Sequence, residues 1–206
     1  MFITFEGGEG SGKTTCINRV VETLKQQGRD IVLTREPGGT PISEEIRNVI
    51  LDKKNTDMDP RTEALLYAAS RRQHIIQKIL PSLKEGKIVI SDRFLDSSLA
   101  YQGVARGLGI DEIYKVNQYA TEGLEPDITF FFDIVPEEGL KRIAANASRE
   151  VNRLDIEKLS FHHDVRNAFL ELAKRFPNRI VIIDASKDRD GVYNDVMNEI
   201  NKRLEK

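Results

Sequence analysis

Residues 2–15 read FITFEGGEGSGKTT, and this stretch decides the fold. An apolar run of Phe2, Ile3 and Phe5 stops at a glycine cluster. Gly7, Gly8, Glu9, Gly10, Ser11, Gly12, Lys13 and Thr14 then fit GxxxxGK(S/T), with Thr15 directly after. The reading is a strand, a loop and a helix start, the helix carried by Ile17, Val20, Val21 and Leu24 at helical spacing. Glycines let the loop backbone take positive φ and turn its N–H groups inward. Together with the positive end of the helix they form a cradle for a polyphosphate. In such a loop Lys13 reaches the β and γ phosphates and the Thr14 hydroxyl ligates Mg²⁺.

Working outward, four more short runs rich in β-branched and aromatic residues follow, at residues 31–34, 88–91, 128–133 and 180–184. They read as buried parallel strands. Amphipathic stretches lie between them, such as Ala64, Leu65, Ala68, Ala69, Ile75, Ile76 and Ile79. The alternation predicts an α/β chain: a doubly wound five-stranded parallel sheet with helices on both faces. Ligands on such sheets bind beyond the C-terminal strand ends. The residues found there are polar: Arg35-Glu36-Pro37, Asp92-Arg93, Asp133 and Asp184-Ala185-Ser186. The proline after Glu36 suits a cis peptide in a tight turn. No repeat or linker divides the 206 residues, so one domain over 1–206 is expected, with a short lid at about 141–153.

A net charge of −2 gives no positive field that would advertise nucleic acid or an anionic membrane. One cysteine, Cys16, excludes an internal disulfide and fits a reducing cytoplasm. Neither a signal peptide nor an apolar segment of about 18 residues is present, so no membrane insertion is expected.

Moving a phosphoryl group between two phosphorylated molecules brings two polyanions together, and Lys13 alone cannot offset their repulsion. Arg47, Arg93, Arg142, Arg149 and Arg153 are the candidate further cations. Asp92, at a strand end, can hold Mg²⁺ or its waters, or cap the next helix. If residues 94–102 are helical, Ser98 shares a face with Gln102, and Ser97 with Tyr101. Tyr67 and Arg71, four apart, suit a nucleobase by stacking and donation, although spacing alone fits a core-edge tyrosine beside a surface arginine.

The loop FEGGEGSGKTT, the stretch TREPGGT, the helix AASRRQH and above all DRFLDSSLAYQG resemble the bacterial thymidylate kinase family over nearly the whole chain. The resemblance implies a nucleoside monophosphate kinase of the P-loop type that uses Mg²⁺ and ATP to phosphorylate dTMP to dTDP, as a homodimer. It makes Arg71 the donor to thymine O4, places Ser98 and Gln102 near N3, and makes Tyr67 the stacking ring. Tyr101 crowds the sugar 2′ position and Glu9 sits near the 3′-hydroxyl. Arg47 and Arg93 hold the acceptor phosphate, with Glu36 close by. Gly10 stands where eukaryotic members carry an arginine, which implies a transition-state arginine from the lid, Arg149 or Arg153.

Two rival readings stand beside it: a kinase for another nucleotide, and a nucleotide-dependent switch. Asp188 to Gly191 matches DxxG but follows the last strand, and no NKxD appears. His74, His162 and His163 lack metal-ligand partners at telling spacing and read as structural.

Overall fold

The computed structural model describes residues 1–145, 153, 154 and 156–205. Arg149 and most of the expected lid lie outside the described residues. Strands β1 (Phe2–Gly7), β2 (Ile31–Arg35), β3 (Ile88–Asp92), β4 (Ile128–Asp133) and β5 (Ile180–Asp184) coincide with the five apolar runs. They form one sheet in the order β2-β3-β1-β4-β5, every pairing parallel. All of β1 is buried, which is why its sequence does not alternate between apolar and polar.

Helices α1 (Lys13–Gln26) and α9 (Arg189–Leu204) cover one face, setting Ile17, Val20, Leu24, Val196 and Ile200 against Ile3, Phe5, Phe130 and Phe132. Cys16 lies in this layer, and burial pushes its thiol up to about 12. The opposite face carries α8 (Leu159–Arg175), whose Phe169 stacks on Phe131 with centroids 4.9 Å apart. Around that face stand α2 (Pro41–Leu51), α3 (Pro60–His74), α4 (Leu80–Lys84), α5 (Leu95–Ser98), α6 (Ile110–Thr121) and α7 (Pro136–Ala144).

Two segments wind more loosely than an α-helix. Between α3 and α4 the chain forms a π turn over Ile75–Ile79, where the Leu80 N–H reaches back to the Ile75 carbonyl. Pro81 follows at once, and the wider winding accommodates a ring that has no N–H and would crowd an α-helical carbonyl. The helix expected over residues 94–102 is likewise α5 followed by a π segment at Leu99–Ala105. Its Arg106 N–H donates to Tyr101 O at 2.9 Å.

The C-terminal edge of the sheet is fixed by register: Phe5 pairs with Asp92, Arg35 with Asp92, and Gly7 with Phe132. Beneath it sits a buried ion pair. Arg179 NH1 and NH2 donate to Asp96 Oδ2 and Oδ1 at 2.5 and 2.9 Å, and NH1 also donates to Thr129 Oγ1 at 2.9 Å. The pair ties α5 to β4 and to the residue that opens β5. Removing one partner leaves a buried charge uncompensated, so Arg179→Ala is expected to cost about 3–5 kcal/mol in urea unfolding. A loss below about 1 kcal/mol would mean that the pair behaves as a solvated one.

Candidate active site

The loop of residues 7–13 turns on glycines. Gly10 and Gly12 sit at φ +69° and +86°, in the left-handed region that side chains rarely adopt. Gly10 also has no room. A Cβ there would stand 2.0 Å from Gly139 O, and a Cβ on Gly139 would stand 2.3 Å from Glu9 O. The loop and α7 therefore touch backbone to backbone, which accounts for the glycine at position 10 where a side chain would force the two apart. Lys13 folds over the cradle, donating to Gly7 O, Gly8 O and Ser11 Oγ at 3.0, 3.1 and 3.2 Å. Burial, reinforced by the nearby Arg93 charge, lowers its pKa to about 8.

Arg93 is the hinge of the site. It holds φ +71°, uncommon for a residue with a side chain, fastened by its N–H to Phe5 O at 2.9 Å. NH2 donates to Glu9 Oε1 at 2.7 Å and NH1 to Ser97 Oγ at 3.1 Å, while the guanidinium lies over the Tyr101 ring. The Tyr101 hydroxyl donates to the same Glu9 oxygen at 3.2 Å. Behind them the buried Glu6 carboxylate accepts from the Phe94 N–H at 2.8 Å and from Ser97 Oγ at 2.5 Å, fixing the start of α5. Burial, with the Asp96 charge adding to it, raises the Glu6 pKa to about 7. Asp92 Oδ1 is buried with no hydrogen-bond partner among the described residues, and Asp92 lines the same cleft as Thr14 of α1.

Across from the loop, α3 presents Tyr67 and Arg71 on one face, both lining the same cleft. Arg71 is only 1% exposed, so the surface-arginine alternative is overturned. Its Nε donates to Glu36 Oε2 at 2.8 Å, NH1 to Ser98 Oγ at 3.1 Å and to Asn117 Oδ1, and NH2 to Phe94 O at 3.0 Å. The second Glu36 oxygen meets His74 Nδ1 at 2.9 Å, and His74 Nε2 meets Thr34 Oγ1 at 2.6 Å. Glu36 thus orients Arg71 from the cleft wall. The Glu36–Pro37 peptide is cis, and Arg47 NH1 caps Pro37 O at 2.8 Å.

One cleft of about 1270 Å³ joins these parts. Its walls include Glu9 to Thr15, Glu36, Arg47, Tyr67, Arg71, Asp92, Arg93, Tyr101 and Gln102. Four predicted site residues among the described ones are not on them: Gly7 and Gly8, whose carbonyls accept from Lys13, and Ser98 and Arg153. Ser98 stands behind Arg71, and Arg153 is buried with its Nε on Ile50 O at 2.9 Å and its NH2 on Glu63. Sequence reasoning missed Arg19, Lys187 and Arg189, which line the loop end of the cleft, and Gly139, Asn117 and Glu63 behind its walls. A glycine inside the helical stretch PEEGLKR was a signal for Gly139. The DxxG match is a helix cap: Asp188 Oδ1 accepts from the Gly191 N–H at 2.7 Å.

A parallel sheet with a phosphate loop between β1 and α1, facing a buried polar wall across one cleft, defines a P-loop nucleoside monophosphate kinase fold. Known proteins agree with that class and narrow it. The thymidylate kinase family model matches residues 5–196. The thymidylate kinase of Geobacillus sp. (strain WCH70) is 59% identical over 192 residues, covering 93% of this chain and 91% of its own. That of Bacillus velezensis is 57% identical over 206 residues, covering 100% and 97%. The crystal structure of thymidylate kinase from Ehrlichia chaffeensis superposes with a TM-score of 0.78 at 36% identity, covering 97% and 98% of the two chains. The chain belongs to the thymidylate kinase family. No helix among the described residues is long and apolar enough to cross a membrane.

The Lys13 environment predicts a pH dependence. Below about 8 the ammonium is present in the ligand-free protein, and above it binding a polyphosphate must draw a proton from solution. The dissociation constant for ATP is expected to rise with pH above about 8, by up to about tenfold per unit. Calorimetry from pH 7 to 9.5 measures it, and Lys13→Arg, which stays charged, is expected to flatten the curve. A flat curve in the parent protein would refute this account.

Proposed function

We propose that the protein transfers the γ-phosphoryl group of ATP to dTMP, giving dTDP, with the donor on the phosphate loop and the acceptor against α3. The carrying observation is the donor pattern at Arg71. A guanidinium has five N–H groups, and four of them are engaged by Glu36, Ser98, Asn117 and Phe94 O, leaving one on NH2. That N–H suits the O4 acceptor of thymine. Gln102 Nε2 is taken by Glu63 at 2.8 Å, so its Oε1 suits the thymine N3–H. Cytosine reverses both groups, placing an amino donor against Arg71 and a bare nitrogen against Oε1. Tyr67 supplies a ring for stacking, its hydroxyl kept neutral by a pKa that burial raises to about 12.

Arg47 and Arg93 would bind the acceptor phosphate, and Glu9, already paired with Arg93 and Tyr101, would stand by the sugar 3′-hydroxyl. The Tyr101 ring would crowd a 2′ substituent. Lys13 and Arg93 would stabilise charge on the transferring group, and no covalent intermediate is needed. The lid arginines remain candidates for that role: Arg149 lies outside the described residues, and Arg153 would first have to leave Glu63. Thr14 and the unpaired Asp92 Oδ1 fit a Mg²⁺ site, directly or through water. Held by these residues, Mg²⁺ would supply positive charge against the donor polyphosphate. A single domain in the cytoplasm fits the single buried cysteine.

A coupled assay with ATP and a panel of monophosphates tests the reading. dTMP is expected to be preferred over dCMP by about 10⁴-fold in kcat/KM, because a mismatched base leaves buried polar groups unpaired. dUMP, lacking one methyl, is expected to lose only about 10–200-fold. Equal use of dCMP and dTMP would contradict the assignment.

We further propose a homodimer through the α3 and α6 side, where Leu65, Ile76 and Tyr119 are exposed at 59%, 45% and 90%. Sedimentation equilibrium is expected to give twice the chain mass, and Tyr119→Glu to shift it toward the monomer. A monomeric parent protein would refute the dimer.

A further inference from the structure

Glu63 lies one helical turn before Tyr67 and two before Arg71, on the same face of α3, yet it is fully buried and does not line the cleft. A buried carboxylate is costly unless paired. Here Oε2 accepts from Arg153 NH2 and from Arg106 NH2 at 3.4 Å, and Oε1 accepts from Arg106 Nε at 3.3 Å. Arg106 in turn reaches Glu157 Oε1 at 2.7 Å. Burial alone would raise the Glu63 pKa, but the hydrogen bonds from Gln102 and Arg153, together with the two guanidinium charges, lower it below the usual carboxylate range.

Oε1 of Glu63 also accepts the Gln102 Nε2 hydrogen bond at 2.8 Å, and Gln102 does line the cleft. A carboxylate only accepts, so it admits one amide orientation: nitrogen toward Glu63, oxygen away from it. Turning the amide over would set two acceptors against each other in a buried site. Oε1 of Gln102 has no partner among the described residues and is the end left for a ligand.

We propose that Glu63 is a positioning residue for base selection, which excludes cytosine by locking the Gln102 amide with its acceptor toward the base. The proposal rests on the reading that Gln102 faces the acceptor base. The carboxylate charge carries the lock. A glutamine at position 63 could donate as well as accept, so the Gln102 amide would be free to turn and offer its N–H to the bare N3 of cytosine.

The test is kcat/KM for dTMP and dCMP in the parent, Glu63→Gln, Gln102→Ala, the Glu63→Gln/Gln102→Ala double, and the exchange Glu63→Gln/Gln102→Glu. Glu63→Gln is expected to raise the dCMP:dTMP ratio by at least about tenfold, mainly through KM, because a specificity contact is misplaced while the chemistry is untouched. Gln102→Ala is expected to raise it too, and adding Glu63→Gln to Gln102→Ala should change the ratio less than about twofold, since both act through one amide. The exchange variant keeps one carboxylate and one amide in contact and is expected to recover the preference for dTMP, which also decides the matter should Glu63→Gln fold poorly. If Gln102→Ala shifts the ratio while Glu63→Gln lowers both substrates equally, or if the exchange variant folds without preference, Glu63 is structural and the proposal is overturned. If Gln102→Ala itself leaves the ratio unchanged, the reading of the base wall fails with it.

Discussion

The buried guanidinium of Arg71 is the constraint on which the acceptor half of the molecule depends. Charge in an apolar interior is tolerated only when its donors are met, and four of the five N–H groups of Arg71 are met by three separate segments. Glu36 follows β2, Phe94 and Ser98 follow β3, Asn117 comes from α6, and Arg71 itself stands on α3. Each segment must arrive for the charge to be satisfied, so one side chain sets the distances between strand ends that are far apart in sequence. A cluster of aliphatic residues could fill the same volume more cheaply, but it would leave the segments free to slide. Here the ionic arrangement gives position at some cost in stability.

The donor half is organised differently, by close backbone approach. Gly10 against Gly139 brings the phosphate loop to α7 with no side chain between them, and Glu6 fastens the next loop by accepting the amide of Phe94. Arg93 lies where the halves meet. Its backbone bonds to β1, and its side chain spans Glu9 of the loop and Ser97 of α5. One cation thereby touches both the phosphate loop and the start of α5.

Most of the fold was legible because it is written in local patterns. Five apolar runs gave five strands at nearly their observed bounds, and the glycine spacing located the phosphate loop without reference to anything distant. The site was legible where a motif carried it and illegible where it depends on pairing across the chain. Nothing in the spacing of Glu63 or Asn117 announces a partner 39 or 46 residues away, and no residue pattern separates the buried Arg71 from a solvated helix arginine. The placement of Arg153 against Glu63 had the same origin: a polar neighbourhood suggested a phosphate contact, while the carboxylate that holds it sits on α3, far away in sequence.

Cys16 gives the phosphate loop a chemical consequence that its role in binding does not suggest. The thiol sits in the first turns of α1, just behind the cradle, and burial keeps it protonated to about pH 12. At neutral pH the thiol form therefore dominates, and alkylating reagents and peroxide meet a poor nucleophile in the packed state. Cys16 also borders the cleft, so its labelling answers to what the cleft holds as well as to how firmly α1 packs. The only sulfhydryl of the chain is thus a native reporter at the base of the phosphate loop, one that needs no engineered probe.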